Sequence, residues 1–197
     1  MAAQAAERRA EVIAAILAKQ DAAHRWGYDA RLAKGRPEYR YYSPNYKSTL
    51  WTLVALADLQ APRTLAQAQP ALALLDGQFY DPAHGIFCLP GMAYFPIPCL
   101  SGNMLYLHAY FQPAAGPDLA RTIDFFAAHQ RFDDGGFKTP AAYPYCGNRS
   151  CYGGHTCYWG VVKLMKGLSF IPPEQRSASA RALLERCIAF VLLHEVC

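Results

Sequence analysis

No stretch of this 197-residue chain approaches the roughly 18 consecutive apolar residues that a membrane-spanning helix requires, so no transmembrane segment is expected. Charge is scarce: 17% of the residues are charged and 53% are hydrophobic, the balance of a folded protein rather than a disordered one, and the length suits a single domain over residues 1–197. The net charge of +4 comes from Lys and Arg scattered along the chain, without the block that tracks phosphates, so nucleic acid is not an expected partner. A Ser-His-Asp spacing, a P-loop and a dinucleotide fingerprint are all missing. No export signal is expected either. Glu7 and Glu11 interrupt the start, and the apolar run from Val12 to Ala18 is at the short limit for a signal core. A cytoplasmic location is therefore expected, and the seven cysteines read as thiols, some of them metal ligands, better than as a disulfide framework.

What the chain does contain is a repeat. In "RTIDFFAAHQRFDDGGF" (121–137), Leu119, Ile123 and Phe126 share one face of a helix that Asp118 is placed to cap and Gln130 closes. A turn with Gly135 and Phe137 follows. The same grammar recurs in "ALALLDGQFYDPAHGIF", with Gln78, Gly85 and Phe87 in the equivalent places, and more weakly around Gln20 in "EVIAAILAKQDAAHRWGY", where Val12, Ile13, Ile16 and Leu17 form the apolar face. A fourth copy begins at "RCIAFVLLHEVC", with Glu195 at the glutamine position. The steps between these positions are 58, 52 and 65 residues, room for two helices per period.

The second helix of each period is apolar around most of its circumference, as expected of a helix buried among others. These are "YKSTLWTLVALADL" (46–59), "LSGNMLYLHAYF" (100–111) and "HTCYWGVVKLMKGL" (155–168). Helices are thus expected near 8–19, 46–59, 66–78, 100–111, 118–130, 155–168 and 177–195, with outer, one-faced helices alternating with inner, buried ones and long Gly-, Pro- and Tyr-rich loops leading into each inner helix.

A basic residue, an apolar helix with Phe, a Gln and then Gly-x-aromatic resembles the QW repeat of squalene cyclases and the related repeats of protein prenyltransferase β subunits. Residues 121–137 carry the match most closely, 71–87 and 11–28 loosely, and 186–195 in part. Within that group the chain looks most like the squalene-cyclase-like repeat proteins of unassigned function found in bacteria. The resemblance implies an all-α fold, a partial α/α toroid of alternating inner and outer helices with about three and a half helix pairs where a full toroid uses about six. It therefore also implies a truncated chain, or an arc closed by self-association or by a partner protein.

"CGNRSCYGGHTCYW" (146–159) concentrates three cysteines and a histidine in C-x4-C-x3-H-x-C spacing. That is not a standard zinc-finger spacing, and three readings stay open: a metal site, ordinary buried cysteines (for Cys157 and, further on, Cys187), or a disulfide between neck cysteines in an exported protein. The resemblance adds content to the first. In protein prenyltransferases an Asp-x-Cys-Tyr at the mouth of an inner helix binds zinc; here Cys157 falls on that cysteine and His155 on the aspartate. Cys146 and Cys151 are then the candidates to complete a four-coordinate zinc site. The loop is longer than in those enzymes, and their later histidine ligand has no counterpart. Cys88 and Cys99 occupy the same neck one repeat earlier.

Asp133 and Asp134 compare poorly with the acid motif of squalene cyclases, because they lie in a turn after an outer helix. Their expected role is to bond turn N–H groups while Gly135 and Gly136 take positive φ, and Gln130 is expected to bond the backbone ends of a neighbouring helix. Aromatics make up 13% of the chain and crowd the necks and inner helices, Tyr94 among them. Trp51, Tyr106, Tyr110, Tyr158 and Trp159 are the candidates to line a cavity for an apolar, isoprenoid-like small molecule. Function therefore divides between an apolar-ligand protein of prenyltransferase or terpene-cyclase type with a zinc-thiolate site and a non-catalytic scaffold. For the scaffold, Leu184, Cys187, Ile188, Val191 and Leu192 form an expected contact stripe.

Overall fold

The computed structural model describes residues 2–35, 41–43, 46–92, 95–136, 138–146 and 149–194. The fold is all-α apart from one short hairpin. In chain order the elements are α1 (Ala2–Leu17), α2 (Ala30–Ala33), α3 (Thr49–Asp58), α4 (Ala68–Phe79), strands β1 (Tyr80–Asp81) and β2 (Ile86–Phe87), α5 (Pro98–Phe111), α6 (Leu119–His129), α7 (Arg149–Tyr152), α8 (Tyr158–Ser169), a 3-10 turn (Pro173–Gln175) and α9 (Ala178–Leu192). Every expected helix is present within a few residues, except that α1 starts earlier and α8 starts at Tyr158, leaving His155 and Cys157 in front of it. The short α2, α7 and hairpin were not foreseen: four-residue helices and two-residue strands are too brief to leave a periodicity. Phe137, Tyr94, Glu195 and Cys197 lie outside the described residues.

The chain forms two compact units, Met1–Gln78 with Tyr110–Gly116, and Phe79–Ala109 with Pro117–Cys197. In the first, Leu50, Leu53 and Leu56 of α3 and Leu72 and Leu75 of α4 are fully buried. Of the face foreseen on α1, Ile13, Ile16 and Leu17 are half-buried and Val12 is exposed. The unit is tied together by side chains reaching backbone: the Trp26 indole donates to Ile16 O at 2.9 Å, Tyr110 donates its hydroxyl to Ala61 O at 2.7 Å, and Gln20 donates its amide to Gln67 O at 3.1 Å. Gly27, at φ +60°, is obligatory, because a Cβ there would lie 2.1 Å from Lys47 O.

In the second unit β1 and β2 pair antiparallel, Tyr80 opposite Phe87 and Asp81 opposite Ile86. α6, α8 and α9 share one core of Ile123 and Phe126, Val161, Leu164 and Leu168, and Ala180, Leu183, Leu184, Cys187 and Phe190, with Leu105 of α5 against it. Asp118 caps α6 as expected, accepting from Ala120 N at 3.1 Å, and Ser177 caps α9 from Ala180 N at 3.1 Å. The buried face of α9 differs from the expected one. Ala180, Leu183, Leu184, Cys187 and Phe190 turn inward, Val191 is half-buried, and Ile188 and Leu192 are 42% and 72% exposed. Phe190 is on the buried face, and at 100° per residue Ile188 and Leu192, each two positions from it, fall on the opposite side of the helix.

Burial separates two kinds of helix. α5 is buried or half-buried along its whole length, whereas α4, α6 and α9 each keep a wet face. A local device also recurs after α1, α4 and α6. Asp21 accepts from Ala23 N and Arg25 N, Asp81 from Ala83 N and His84 N, and Asp133 from Gly135 N. A glycine of positive φ follows each, Gly27, Gly85 and Gly135, whereas Gly136 stays at ordinary φ. The turn is then bonded to the approach of the next buried helix: Trp26 N to Thr49 Oγ1 at 3.1 Å, Ile97 N to Phe87 O at 3.1 Å, and Asp133 N to Thr156 Oγ1 at 2.7 Å.

α5 and α8 meet backbone to backbone. A Cβ on Gly102 would lie 2.3 Å from Lys163 C, and one on Gly167 2.6 Å from Gly102 O. Gly102→Ala should therefore lower unfolding stability by about 1–3 kcal/mol through overpacking. Gly77→Ala, at a helical glycine with open space around its Cβ position, should raise it by about 0.5–1 kcal/mol. Denaturant midpoints of the two variants check both signs.

Candidate functional site

The neck in front of α8 holds the densest chemistry of the second unit. Its frame is Arg131, which is 7% exposed. The guanidinium forks onto the Asp133 carboxylate at 2.8 to 2.9 Å and also donates to Gly153 O, while Thr156 N donates to Asp133 O at 3.2 Å. The turn after α6 is thereby bonded to residues 153–156, and α8 begins from a fixed point. His155 is exposed, its ring over Gly135, where an added Cβ would collide with it at 2.3 Å.

Cys157 is the N-cap residue of α8, half-buried. Its thiol ionises far below the usual cysteine range, at about 6. The main cause is a side-chain hydrogen bond from Cys151; burial works against it, and the Gly160 and Trp159 amides add to the lowering. The sulfur closes no capping hydrogen bond of full geometry, so the amides act as the positive end of the helix rather than as a cap. Cys187 shows the opposite environment: fully buried in the α6, α8 and α9 core, its thiol is pushed up to about 12. Tyr152, on α7 directly after Cys151, is 1% exposed, and its hydroxyl has no hydrogen-bond partner among the described residues. Burial first, then the charge of Cys151, raises its pKa.

Of the four expected metal ligands, the structure brings together Cys151 and Cys157. Cys146 is exposed and lines a cleft of about 510 Å³ with Tyr145, Gly153, Gly154 and Thr139, and His155 lies on Gly135. No group of three or more His, Cys, Asp or Glu side chains among the described residues converges as a metal site. The six described cysteines form no disulfide.

The aromatic candidates divide. Trp51 and Tyr110 belong to the first unit, Tyr106, Tyr158 and Trp159 to the second. Trp51 is half-buried and donates to Tyr42 O at 2.9 Å. Tyr110 anchors Ala61. Tyr106 is 1% exposed, its ring 4.6 Å from that of Phe170 and 4.0 Å from the Lys166 ammonium. Tyr158 and Trp159, next to Cys157, are the exposed pair, at 36% and 69%. Gln130 does not reach a neighbouring helix through its side chain, which donates to Arg131 O. The link runs the other way, because Arg186 of α9 donates to the Ala127 and Gln130 carbonyls at the end of α6. Sequence reasoning missed Arg131 and Arg186, since a lone arginine carries no pattern of its own. Asp134 accepts from His194, which also bonds Phe190 O; these bonds favour the imidazolium and raise its pKa.

No family model matches the chain, and no curated protein or solved structure shows a significant match to it.

Because the folded Cys157 thiol ionises below the unfolded value of about 8.5, its ionisation stabilises the fold. That contribution is complete above the unfolded value and disappears as pH falls through about 6. Iodoacetamide labelling of Cys157 should accordingly show a half-point near 6, moving up by at least about one unit in Cys151→Ser as the principal hydrogen bond is lost. Peptide-resolved labelling across pH measures both.

Proposed function

We propose that this chain is a helical-repeat protein of the squalene cyclase and prenyltransferase β-subunit type, with a partial α/α toroid, that binds an apolar, isoprenoid-like molecule at the neck of α8 beside the Cys157 thiolate. The observation that carries the reading is the placement of Cys157. It stands at the mouth of α8, at the position the resemblance assigns to a zinc cysteine, with two exposed aromatic side chains directly after it. Exposed rings beside a half-buried thiolate suit a ligand that is greasy along its length and electrophilic at one end. The recurring Asp turn with its positive-φ glycine, and the contrast between α5, buried or half-buried throughout, and the one-faced α4, α6 and α9, support the repeat part of the proposal.

Zinc enters this reading through Cys151 and Cys157. It would hold a thiol deprotonated at neutral pH, with two donors from the neck and open positions for others. Cys146 and His155 would have to leave their present places to close the set. Metal analysis of the purified wild type beside Cys146→Ser and His155→Ala decides between two neck donors and four.

A second reading, a scaffold that pairs with another copy of itself, is favoured by the exposed apolar residues of and after α9: Ile188, Leu192 and Leu193, at 42%, 72% and 77%. Isolated exposed apolar residues are common, but a contiguous group invites a contact.

For the ligand reading, a long-chain isoprenoid diphosphate titrated into the chain should quench tryptophan fluorescence saturably. Trp159→Ala should weaken binding by about 5–10-fold, the value of one aromatic contact. Absence of saturable binding would overturn the reading. For the scaffold reading, Ile188→Lys with Leu192→Lys should shift sedimentation toward monomer at unchanged helix content; a wild-type chain that sediments as a monomer at all concentrations removes it.

A further inference from the structure

We propose that the first unit carries a binding site for a small amphipathic anion, a flat body of one or two aromatic rings bearing a single carboxylate. A cavity of about 400 Å³ opens between the end of α1, the turn at Trp26 and Gly27 and the first turns of α3, a volume within the range of small-ligand sites. Its walls are of two kinds. Ile16, Trp26, Tyr46 and Ala55 give it an apolar side, and Lys19 and Lys47 are the charged residues that border it. The described residues around it include no carboxylate. Neither lysine has an ion-pair or hydrogen-bond partner among the described residues, and the acid nearest to Lys19 in the chain, Asp21, is committed to Arg25 at 2.9 Å. Two unopposed ammonium groups beside an indole and a phenol ring suit a ligand with an apolar body and one negative end.

The walls are fixed by backbone rather than left to the lysines. A Cβ at Gly27 would lie 2.1 Å from Lys47 O, so two sides of the cavity meet main chain to main chain, and Trp26 N donates to Thr49 Oγ1 at 3.1 Å. The Trp26 indole N–H is taken by Ile16 O, which leaves the ring its apolar surface to offer. Thr52 also lines the cavity, and its hydroxyl donates to Ser48 O at 3.0 Å. The Ser48 hydroxyl is fully buried and has no hydrogen-bond partner; a carboxylate oxygen entering beside Lys47 and Thr52 would supply one. Tyr46 is a separate mark of a site. Its φ is +64°, which a bulky side chain adopts only under constraint, yet it is 76% exposed, with its ring 5.2 Å from that of Trp51. Strained backbone that holds a large ring in solvent at the rim of a cavity adds little to the core and is placed to cover a flat ligand. The site shares no residue with the neck of α8, so it does not rest on the reading above.

The test is calorimetric titration of the full chain with naphthalene-2-carboxylate at neutral pH. Binding should be saturable at one site and weaken as salt is added. Lys19→Gln and Lys47→Gln, both on the surface, should each weaken it by about 2–5-fold, the scale of one exposed charge contact, and Tyr46→Gly by about 3–10-fold through loss of the covering ring. The neutral amide of the same shape, naphthalene-2-carboxamide, should bind about 5–20-fold more weakly, because it meets both lysines without a charge. Absence of saturable binding, equal affinity for acid and amide, or lysine variants that bind as wild type would each overturn the proposal. Loss of naphthalene-2-carboxylate binding in Trp159→Ala would put the probe at the neck of α8 and overturn it as well. A long-chain isoprenoid diphosphate titrated into the same sample keeps the two ideas apart. Binding of the naphthalene acid without the isoprenoid removes the functional reading alone, and the reverse removes this site alone.

Discussion

The approach of α8 to α5 is set by the absence of side chains at Gly102 and Gly167. Where a Cβ would fall within 2.3 Å of a neighbouring backbone carbon, the helices can touch main chain to main chain and no other residue fits. Close contact of this kind fixes α8 along its length, and Gly160 extends it to the first turn, where a Cβ would meet Pro98 at 2.5 Å. Everything proposed for the neck depends on that first turn being held. A helix N-terminus acts on a thiol only over the last few ångströms, so a small slide of α8 would remove the amides from Cys157.

The neck is secured a second time by Arg131. A nearly buried guanidinium with a forked carboxylate and a backbone carbonyl is satisfied on several sides, and losing a partner would leave charge stranded in a low-dielectric place. The pair Asp133 and Asp134 thereby serves structure twice over. Asp133 holds Arg131 and the Gly135 turn, and Asp134 meets His194 beyond the end of α9. The two arginines Arg131 and Arg186 thus bind the end of α6 to the neck and to α9.

The thiolate chemistry grows from unequal treatment of similar residues. Cys157 and Cys187 differ in sequence only by context, yet one lies where a neighbouring thiol and two amides favour its anion and the other lies where burial outweighs the charge of Arg186. Among the described residues no four-ligand metal set converges: Cys157 has Cys151 as its hydrogen-bond partner, while His155 lies on the Gly135 turn and Cys146 lines the cleft.

Much of the fold was legible in the chain. The spacing of Leu119, Ile123 and Phe126, the Asp118 cap and the near-continuous apolar character of 100–111 each depend on local geometry, which follows from residues three or four apart. The Asp-rich turn was legible for the same reason, since an Asp bonds the amides that come directly after it. The cysteine cluster was visible as a cluster. What sequence could not decide was which of its members meet: Cys146, Cys151, His155 and Cys157 sit within twelve residues, but the choice of partners depends on where a loop is bonded by Arg131, fifteen residues or more away. The face of α9 was likewise a matter of which neighbour it found, because Ile188 and Phe190 are both apolar and only packing against α6 and α8 ranks them. Local periodicity determined the helices of this protein; the folding of the neck loop, which brings Cys151 to Cys157, and the packing that buries Cys187 carry no spacing in the chain, and they decided which thiol ionises more readily.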